Sequence, residues 1–412
     1  MSDEATEGRK PSPHLDPETG EVALFHPDFA SCPQPLYAEL REKCPFARLA
    51  ITGAPVLSRY DDVLWALRNP EIFSSEMDMQ LALGNKRPMI PQQVDPPAQT
   101  RYRKLLDPHF SRRKMAQIVP DIRRHANALI DGFIDAGECE FDEAFAIPLP
   151  CSAFLSLLGL PFEELDLFLE LKDGIIRPNK IAPELNPFDI EGSKRVREQT
   201  GERIYGYFEK VLDERAAQPR EDLLSALLRS EIDGEKLTRS EILDICFLLL
   251  LAGLDTVTAT LGCNIAYLAS NPEQRRRIVD DSSLIPGSVE ELLRWETPVT
   301  AVPRIATRDV QVGEHTIEKG QLVTLLIGAA NTDATHFADA DSVDFERERN
   351  IHMAFGAGAH RCLGSHLARM ELQVAMEEWH RRIPEYAIKP GETPRYSPGI
   401  REVMYLPLVW GP

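Results

Sequence analysis

Apolar residues along most of the chain recur with the spacing of amphipathic helices. From residue 99 to about residue 350 they return every three or four positions, a spacing that places them on one helical face. Strand patterns, with alternating or short apolar runs, occur at 47–58 and again at 310–327. We therefore expect a mainly α fold with a small β region. The clearest helical stripe consists of Ile204, Phe208, Val211 and Leu212.

Two long helices are predicted with defined starting points. The first begins at a capping box formed by Thr238 and Glu241 and continues until Asn271 and Pro272. At ~1.5 Å per residue it is long enough to cross a whole domain. The second begins just after Cys362, and we expect its apolar face to be buried. That face consists of Leu363, Leu367, Met370 and Val374.

Shorter elements and two Pro-rich loops complete the pattern. Helices are expected at Pro35–Lys43 and after Asp61, which is placed to cap the second of them. The segments Ser74–Pro97 and Arg177–Pro187 contain several prolines and are expected to be loops, the second of a kind that can act as a lid. The first loop also holds the apolar residues Met77, Met79, Leu81, Leu83 and Met89.

Composition and length are those of one large globular domain. The chain has 412 residues, of which 43% are hydrophobic and 27% charged, and neither a linker nor a repeat divides it. The first residues are polar, acidic and Pro-containing, without the basic and apolar regions of a signal peptide. We expect residues 1–20 to be a flexible tail and residues 21–412 to form the domain.

Net charge, hydropathy and cysteine spacing exclude several other classes of protein. The formal charge of −19 opposes binding to nucleic-acid phosphates. The longest strongly apolar stretch, Ile245–Leu254, is bounded by aspartates and is shorter than the ~20 residues that span a bilayer. The seven cysteines form no CxxC pair and indicate neither a disulfide framework nor a structural zinc site. We expect a soluble cytoplasmic monomer with reduced thiols.

The segment FGAGAHRCLG near the C-terminal end has the features of a metal-binding thiolate loop. Cys362 stands where this loop meets a helix, and the free N–H groups and partial positive charge of a helix start lower a thiol pKa. Gly356 and Gly358 allow the backbone to approach the sulfur. Gly364 leaves room for a flat macrocycle, and Phe355 can screen the sulfur from water. An isolated cysteine is more often a small buried residue, but this context favours a metal ligand.

The same segment resembles the FGxGxHxCxG signature of the cytochrome P450 family at every fixed position. The resemblance covers nearly the whole chain and implies a single cytochrome P450-like domain with haem b between the two long helices. It implies that Cys362 is the axial ligand of the iron, whose electron donation favours O–O bond cleavage. Gln99 stands where the DPPxHxxxR stretch of the family has histidine, which leaves its haem contact open. The implied cofactor contacts are Cys362, Arg103, Arg304, His352, Phe355, Gly356 and Gly364, of which Arg103, Arg304 and His352 would hold the propionates.

The middle of the first long helix, AGLDT at residues 252–256, interrupts an apolar run with an acid and a hydroxyl. Buried polar groups are costly unless bonded, and the Thr256 hydroxyl can bond to the carbonyl of Ala252 and open the helix locally. Taken alone, Asp255 and Thr256 are equally well explained as solvent-facing residues. The segment resembles the AGxDT oxygen-activation motif of the family, which implies that Asp255 and Thr256 relay protons during catalysis.

Glu291 and Arg294 lie three positions apart on one predicted helix, which is the spacing of a common surface ion pair. The family has its ExxR motif at this place, and Arg347 in VDFERERN matches the third member of a buried network. The resemblance implies that these three residues support the fold and haem retention rather than catalysis. Val343 stands where the family usually has phenylalanine.

The resemblance implies a monooxygenase that inserts one atom of dioxygen into an apolar C–H or C=C bond. The sequence contains no flavin domain, GxGxxG nucleotide site or iron–sulfur cysteine cluster, so electrons would come from an acidic ferredoxin and its NAD(P)H-dependent reductase. Basic residues near the cysteine loop can steer such a partner, although they are equally well explained as solvated charges. They are Arg101, Lys104, Arg112, Arg113, Lys114, Arg361 and Arg369.

An apolar pocket above the iron is expected to hold a medium-sized hydrophobic substrate, such as a terpenoid, a branched lipid or a steroid. Two other functions stay open: a peroxide-using or isomerising haem enzyme on the same fold, and a non-catalytic haem protein that senses or stores a ligand. The acid–alcohol pair argues against the first, because peroxide supplies its own protons. The expected pocket residues, each also explicable as core packing, are Leu248, Leu251, Ala252, Val299, Thr300, Ala301 and Val302.

Overall fold

The computed structural model describes residues 14–16, 18–24, 26–77, 83–185, 189–232, 234–397 and 399–411, and in them the chain is mainly helical. The helices are α1 (Pro27–Ala30), α2 (Gln34–Lys43), α3 (Tyr60–Arg68), α4 (Ala98–Leu106), α5 (Arg112–Met115), α6 (Val119–Asp131), α7 (Pro148–Leu158), α8 (Leu165–Ile176), α9 (Pro178–Ile181), α10 (Ile190–Ala217), α11 (Leu223–Arg229), α12 (Arg239–Ser270), α13 (Pro272–Asp280), α14 (Ile285–Glu296), α15 (Ile327–Ala330) and α16 (Ser365–Arg382). The strands are β1 (Glu21–Val22), β2 (Phe46–Leu49), β3 (Pro55–Leu57), β4 (Phe73–Ser74), β5 (Glu138–Glu140), β6 (Glu231–Ile232), β7 (Glu235–Lys236), β8 (Val302–Ala306), β9 (Val310–Val312), β10 (His315–Ile317), β11 (Leu322–Leu325), β12 (Ala387–Ile388), β13 (Arg395–Tyr396), β14 (Val403–Tyr405) and β15 (Pro407–Val409).

The central helix α12 begins and ends where the sequence predicts. The Thr238 hydroxyl accepts the Glu241 N–H at 3.2 Å, and the Glu241 carboxylate accepts the Thr238 N–H at 2.6 Å, so the capping box is confirmed. The helix ends at Ser270 and packs against α7, α10, α14 and α16. Among the described residues it is the one helix long and apolar enough to span a membrane, but 72% of its most apolar window is buried in the protein, as in a core helix.

A mixed sheet of order β1-β2-β3-β11-β8-β4 lies beside the helical body. The predicted hairpin at 47–58 is confirmed, because β2 and β3 are antiparallel with Ala47 opposite Val56. Strand β11 runs parallel to β3 and antiparallel to β8, with Val323 opposite Arg304. The predicted strands after Thr307 are also present, with β9 and β10 forming a hairpin of their own. The sheet therefore places Arg304 on an inner strand.

Two predictions of local structure differ from the observed one. Asp61 does not cap α3: the helix begins one residue earlier, at Tyr60, and the distant Asp333 carboxylate accepts the Tyr60 N–H at 2.9 Å. A tertiary contact therefore replaces the local cap. The predicted loop Arg177–Pro187 contains the short helix α9, because Pro178 is well suited to the first position of a helix. The last two residues of that loop lie outside the described part of the chain.

The second long helix, α16, starts at Ser365, three residues after Cys362. Leu367 and Val374 of its predicted apolar face are buried, whereas Met370 is half-buried and Leu363 precedes the helix.

Parts of two predicted segments fall outside the described residues. They are residues 1–13 and 17 of the expected tail, and residues 78–82 of the first loop, which include Met79 and Leu81. In the described end of the tail, Leu15 is buried and forms a β-bridge with Val22. That end of the segment therefore contacts the domain.

Candidate functional site

The segment that carries Cys362 is an irregular loop whose shape depends on glycine. The Cys362 N–H donates to the Phe355 carbonyl at 2.8 Å, which closes the loop on itself. Gly356 and Gly358 both have φ of 66°, in the left-handed region that glycine adopts without strain. At Gly358 a Cβ would also lie 2.4 Å from the Leu67 carbonyl oxygen of α3. Gly358 is therefore required where the loop packs against α3, while its predicted approach to the sulfur stays a prediction.

The thiol of Cys362 does not have the lowered pKa that its position suggests. Burial raises the pKa of this thiol, and this effect exceeds the lowering by the Gly364 N–H and by the positive charges of Arg103 and Arg369. The helix contributes little because α16 starts three residues later. Solvent still reaches the side chain. A metal ion that binds here would therefore displace the proton, as thiol ligands require.

Two cationic side chains, Arg103 and Arg304, lie beside this loop together with His360. Burial lowers the pKa of Arg304 to about 10, against a smaller opposing effect of Asp95. Burial also lowers the pKa of His360, and the charges of Arg304 and Arg103 lower it further. A buried cation is stabilised by an anionic partner. The Nε2 atom of His360 lies 3.6 Å from Asp95 Oδ1 and makes no hydrogen bond within the described residues. The cluster therefore fits the propionate groups of a haem.

The space next to Cys362 also fits a flat group. A Cβ added at Gly364 would meet no atom within 4 Å, so this residue faces open space as predicted. On α12, the residue Ala252 is exposed, and Leu251 and Gly253 are partly exposed, although α12 is a core helix. The donor set and these open surfaces therefore fit a haem held by Cys362.

His352 does not join the cationic cluster. Its side chain is 2% exposed and lies 3.1 Å from Glu290 on α14 through Nε2. His360, which stands within the glycine-rich signature itself, takes the place beside Arg304 that the sequence assigns to His352. The fixed histidine of FGxGxHxCxG is the signal that identifies it.

Two residues of α4 hold the cysteine loop from the side. Gln99 is buried and donates from Nε2 to the Ala359 carbonyl at 2.5 Å. Arg103 donates to the Arg361 carbonyl and pairs with Asp107 at 2.7 Å. Gln99 therefore contacts the loop through a hydrogen bond that needs no charge, which explains how glutamine serves at a position where histidine is usual.

The acid and the hydroxyl of α12 occupy different environments. The Thr256 hydroxyl donates to the Ala252 carbonyl at 3.1 Å, as the sequence predicts. Asp255 is buried rather than solvent-facing: its Oδ1 accepts from Arg177 at 2.9 Å and lies 3.9 Å from Lys172 Nζ. Its Oδ2 has no hydrogen-bond partner among the described residues. Arg177 also binds Glu402, so one guanidinium is shared between two carboxylates.

Arg177 and Lys172 are functional neighbours that the sequence does not single out. Lys172 lies on α8, and Arg177 follows that helix directly, inside the segment predicted to be a lid loop. Nothing in the local sequence marks them, because α8 also contains the acidic residues Asp166, Glu170 and Asp173. Glu402, which shares Arg177, lies more than 200 positions further along the chain, so only the fold brings it to the site.

The expected pocket residues are distributed over two segments. Leu248 is buried, whereas Leu251 and Ala252 are at least partly exposed on α12. The second segment, 299–302, links α14 to β8 and is half-buried throughout. Its Thr300 also lines a small surface cleft together with Tyr37 and Arg401. The two segments are thus available to line a pocket.

The predicted Glu291 network is assembled, with Glu291 and Arg294 fully buried and Arg347 half-buried. Arg294 binds the Glu291 carboxylate through two nitrogens, at 2.9 and 2.7 Å, and Arg347 Nε lies 3.1 Å from the same group. Arg294 also donates to the carbonyls of Ala340 and Ser342 at 3.0 and 2.7 Å. Glu291 and Arg294 are therefore not a surface pair, because they fasten the chain before Cys362 to α14.

The basic residues near the loop differ in how far their charge is neutralised. Arg101 pairs with Glu241 at 3.0 Å, and Arg369 pairs with Glu290. The others have no ion pair among the described residues, and all of them are exposed. They are Lys104, Arg112, Arg113, Lys114 and Arg361.

Comparison with known proteins gives a consistent result. The sequence model described as Cytochrome P450 matches residues 167–382. Mycinamicin IV hydroxylase/epoxidase of Micromonospora griseorubida is 33% identical over 91% of this chain and 94% of its own. Vitamin D(3) 25-hydroxylase of Pseudonocardia autotrophica is 32% identical over 96% of this chain and 98% of its own. The crystal structure of CYP109E1 from Bacillus megaterium in complex with testosterone has a TM-score of 0.84 at 27% identity and covers 94% of this chain and 100% of its own.

Proposed function

Since the chain belongs to the cytochrome P450 family and is a haem-thiolate monooxygenase, we propose that it oxidises a medium-sized apolar substrate with electrons from an external ferredoxin. We propose Cys362 as the axial ligand and residues 21–412 as the catalytic domain of a cytoplasmic monomer. The observation that carries the assignment is that one loop places Cys362 two residues from His360, which lies beside Arg103 and Arg304, and two residues from Gly364, which faces open space.

When bound, the haem supplies activation of dioxygen and one-electron redox chemistry through its thiolate-ligated iron. Around it, Arg103 and Arg304 would hold the propionates, and His360 takes the role expected of His352. Phe355 and Gly356 shape the loop beneath the sulfur. Glu291, Arg294 and Arg347 keep that loop attached to α14, so their role is retention of the haem rather than catalysis.

On α12, Asp255 and Thr256 are proposed to supply protons during catalysis. The Thr256 hydroxyl donates its hydrogen to the Ala252 carbonyl, which leaves both lone pairs of its oxygen free to accept a hydrogen bond from water. Asp255 is held by Arg177 through one oxygen and leaves the other without a partner among the described residues. A carboxylate in this arrangement can take a proton on the free oxygen and pass it on through water.

The substrate is proposed to be a terpenoid, a branched lipid or a steroid. The proposed lining is apolar, with Leu248, Leu251 and Ala252 on α12 and the segment 299–302 opposite. Similar proteins act on vitamin D(3) or bind testosterone, which supports a compact hydrophobic substrate. A titration of the haem protein against a library of hydrophobic compounds tests this, because a bound substrate displaces water from the iron and changes the spin state. A library in which only polar acids change the spectrum would refute the proposed class.

The electron donor is proposed to be an acidic ferredoxin with its NAD(P)H-dependent reductase. Unpaired positive charge near the cysteine loop, on Arg112, Arg113, Lys114 and Arg361, would attract it. Reconstitution with a ferredoxin, its reductase and NAD(P)H is expected to give one oxygenated product per two electrons. Turnover that peroxide supports and the ferredoxin chain does not would contradict the proposal in favour of a peroxide-using enzyme. Ligand binding without product in any assay would contradict it in favour of a ligand sensor.

A further inference from the structure

The cysteine loop is also held by a carboxylate that the proposed function does not use, Glu290 on α14. Its Oε1 accepts from Arg369 Nε at 2.5 Å, and its Oε2 accepts from Arg369 Nη2 at 2.8 Å and lies 3.1 Å from His352 Nε2. Partial burial opposes ionisation, but the hydrogen bonds from His352 and Arg369 outweigh it and lower the pKa of Glu290 to about 2. This carboxylate is therefore negative at neutral pH and joins two side chains that both reach the loop.

The first connection runs through His352 to the loop backbone. The Ala354 N–H donates to His352 Nδ1 at 3.2 Å. Since Nδ1 accepts that bond, the hydrogen of a neutral imidazole lies on Nε2 and is donated to Glu290. His352 thus links α14 to Ala354, the residue just before Phe355, through two hydrogen bonds.

The second connection runs through Arg369 to the ring that screens the sulfur. The guanidinium carbon of Arg369 lies 4.3 Å from the centroid of the Phe355 ring, within the range of a cation–π contact. The backbone of Phe355 accepts the Cys362 N–H. Arg369 therefore places a positive charge against Phe355, whose backbone binds Cys362. Glu290 compensates part of that charge.

We propose that Glu290 and Arg369 form a compensated charge pair that sets how strongly Cys362 donates electrons to the haem iron. The inference rests on the proposed role of Cys362, and it gives Arg369, Glu290 and His352 positioning roles. A cation near the sulfur stabilises negative charge there and on the reduced site, so it raises the reduction potential, and the neighbouring anion lowers it. Removing the negative charge of Glu290 should therefore raise the reduction potential, and removing the positive charge of Arg369 should lower it.

The test is a potentiometric titration of the holoprotein and its variants. Glu290→Gln should raise the reduction potential and Arg369→Gln should lower it, each shifting the one-electron equilibrium several-fold. Arg369→Lys should stay close to the wild type, because the charge remains. Arg382→Gln is the matched control: Arg382 lies on the same helix and pairs with Asp131 at 2.7 Å, about 20 Å from Arg369 at ~1.5 Å per residue, and should not change the potential.

A second measurement keeps the test decisive if a variant retains little haem. The C–O stretching frequency of the reduced carbonyl complex reports electron donation by the thiolate in the fraction of the protein that contains haem. This frequency should rise for Glu290→Gln and fall for Arg369→Gln. Shifts in the same direction for both variants, or no shift in either, would overturn the proposal and leave a structural role only. Failure of the Cys362 assignment is distinguishable, because the wild type itself would then lack the thiolate carbonyl spectrum.

Discussion

Loss of the negative charge at Glu291 should destabilise the protein more than any surface ion pair does. This carboxylate is fully buried and accepts hydrogen bonds from Arg294, Arg347, the Asp344 N–H at 2.9 Å and Asn350 at 3.0 Å. Glu291→Gln keeps the shape but leaves two guanidinium groups facing a neutral amide. The NH₂ group of the glutamine would also face the N–H groups that donate hydrogen bonds to the carboxylate in the wild type.

The expected cost follows from the burial of the group. Breaking a buried ion pair by removing one partner typically costs about 3–5 kcal/mol, because the remaining charge is left uncompensated. That is a large part of the ~5–15 kcal/mol by which a domain is stable. The matched control is Glu170→Gln, since Glu170 and Arg203 pair at 2.7 Å with side chains 46% and 47% exposed. Such exposed pairs contribute about 1 kcal/mol or less.

Urea denaturation followed by tryptophan fluorescence measures both variants, with haem content determined in parallel. Glu291→Gln should lower the midpoint and the haem retained, with little change in the m-value, while Glu170→Gln behaves like the wild type. A loss for Glu291→Gln no greater than that of the control would refute the argument that burial makes this network essential.

Three further predictions concern Asp142, Gly358 and Asp255. Burial and the charges of Glu402 and Glu140 raise the pKa of Asp142 to about 8. Between about pH 4 and pH 8 the folded protein therefore keeps a proton that the unfolded chain releases. The contribution of Asp142 to the free energy of unfolding falls as the pH rises through this range. Asp142→Asn should flatten the decrease in unfolding free energy between pH 5 and 8, and identical slopes would contradict the burial of this charge. Gly358→Ala should reduce haem incorporation, because its Cβ would meet the Leu67 carbonyl at 2.4 Å, and normal incorporation would show that the loop tolerates another shape. Asp255→Asn should lower product formation on the order of 10²-fold with an unchanged substrate-induced spectral shift, whereas undiminished turnover would remove Asp255 from the proton path.

The sequence predicts the fold well where local signals and tertiary structure agree. Helix α12 has a capping box at its start and Asn271–Pro272 at its end, and both are local, so its bounds follow directly. Asp61 shows the opposite case, because the N–H group that a local cap would satisfy is taken by Asp333. The contact between Asp333 and Tyr60 depends on how the chain packs, so the residues next to Tyr60 in the sequence do not predict it.

For the site, the sequence identifies the signature segments but not their partners. His360 stands in the signature, yet its place beside Arg304 depends on how β8 and the loop meet. Arg177 and Glu402 are separated by 225 positions and share a site only through the fold. The pKa of Cys362 differs from expectation for a related reason, because burial of the thiol depends on all surrounding elements and not on the nearby helix alone.

The central claim is that Cys362 is the thiolate ligand of the haem iron. The most direct measurement is the absorption spectrum of the reduced carbonyl complex for Cys362→Ser, with Cys32→Ser as the control at another exposed cysteine. The account predicts that Cys362→Ser loses the thiolate spectrum while Cys32→Ser retains it. A Cys362→Ser protein with the wild-type spectrum would contradict the account.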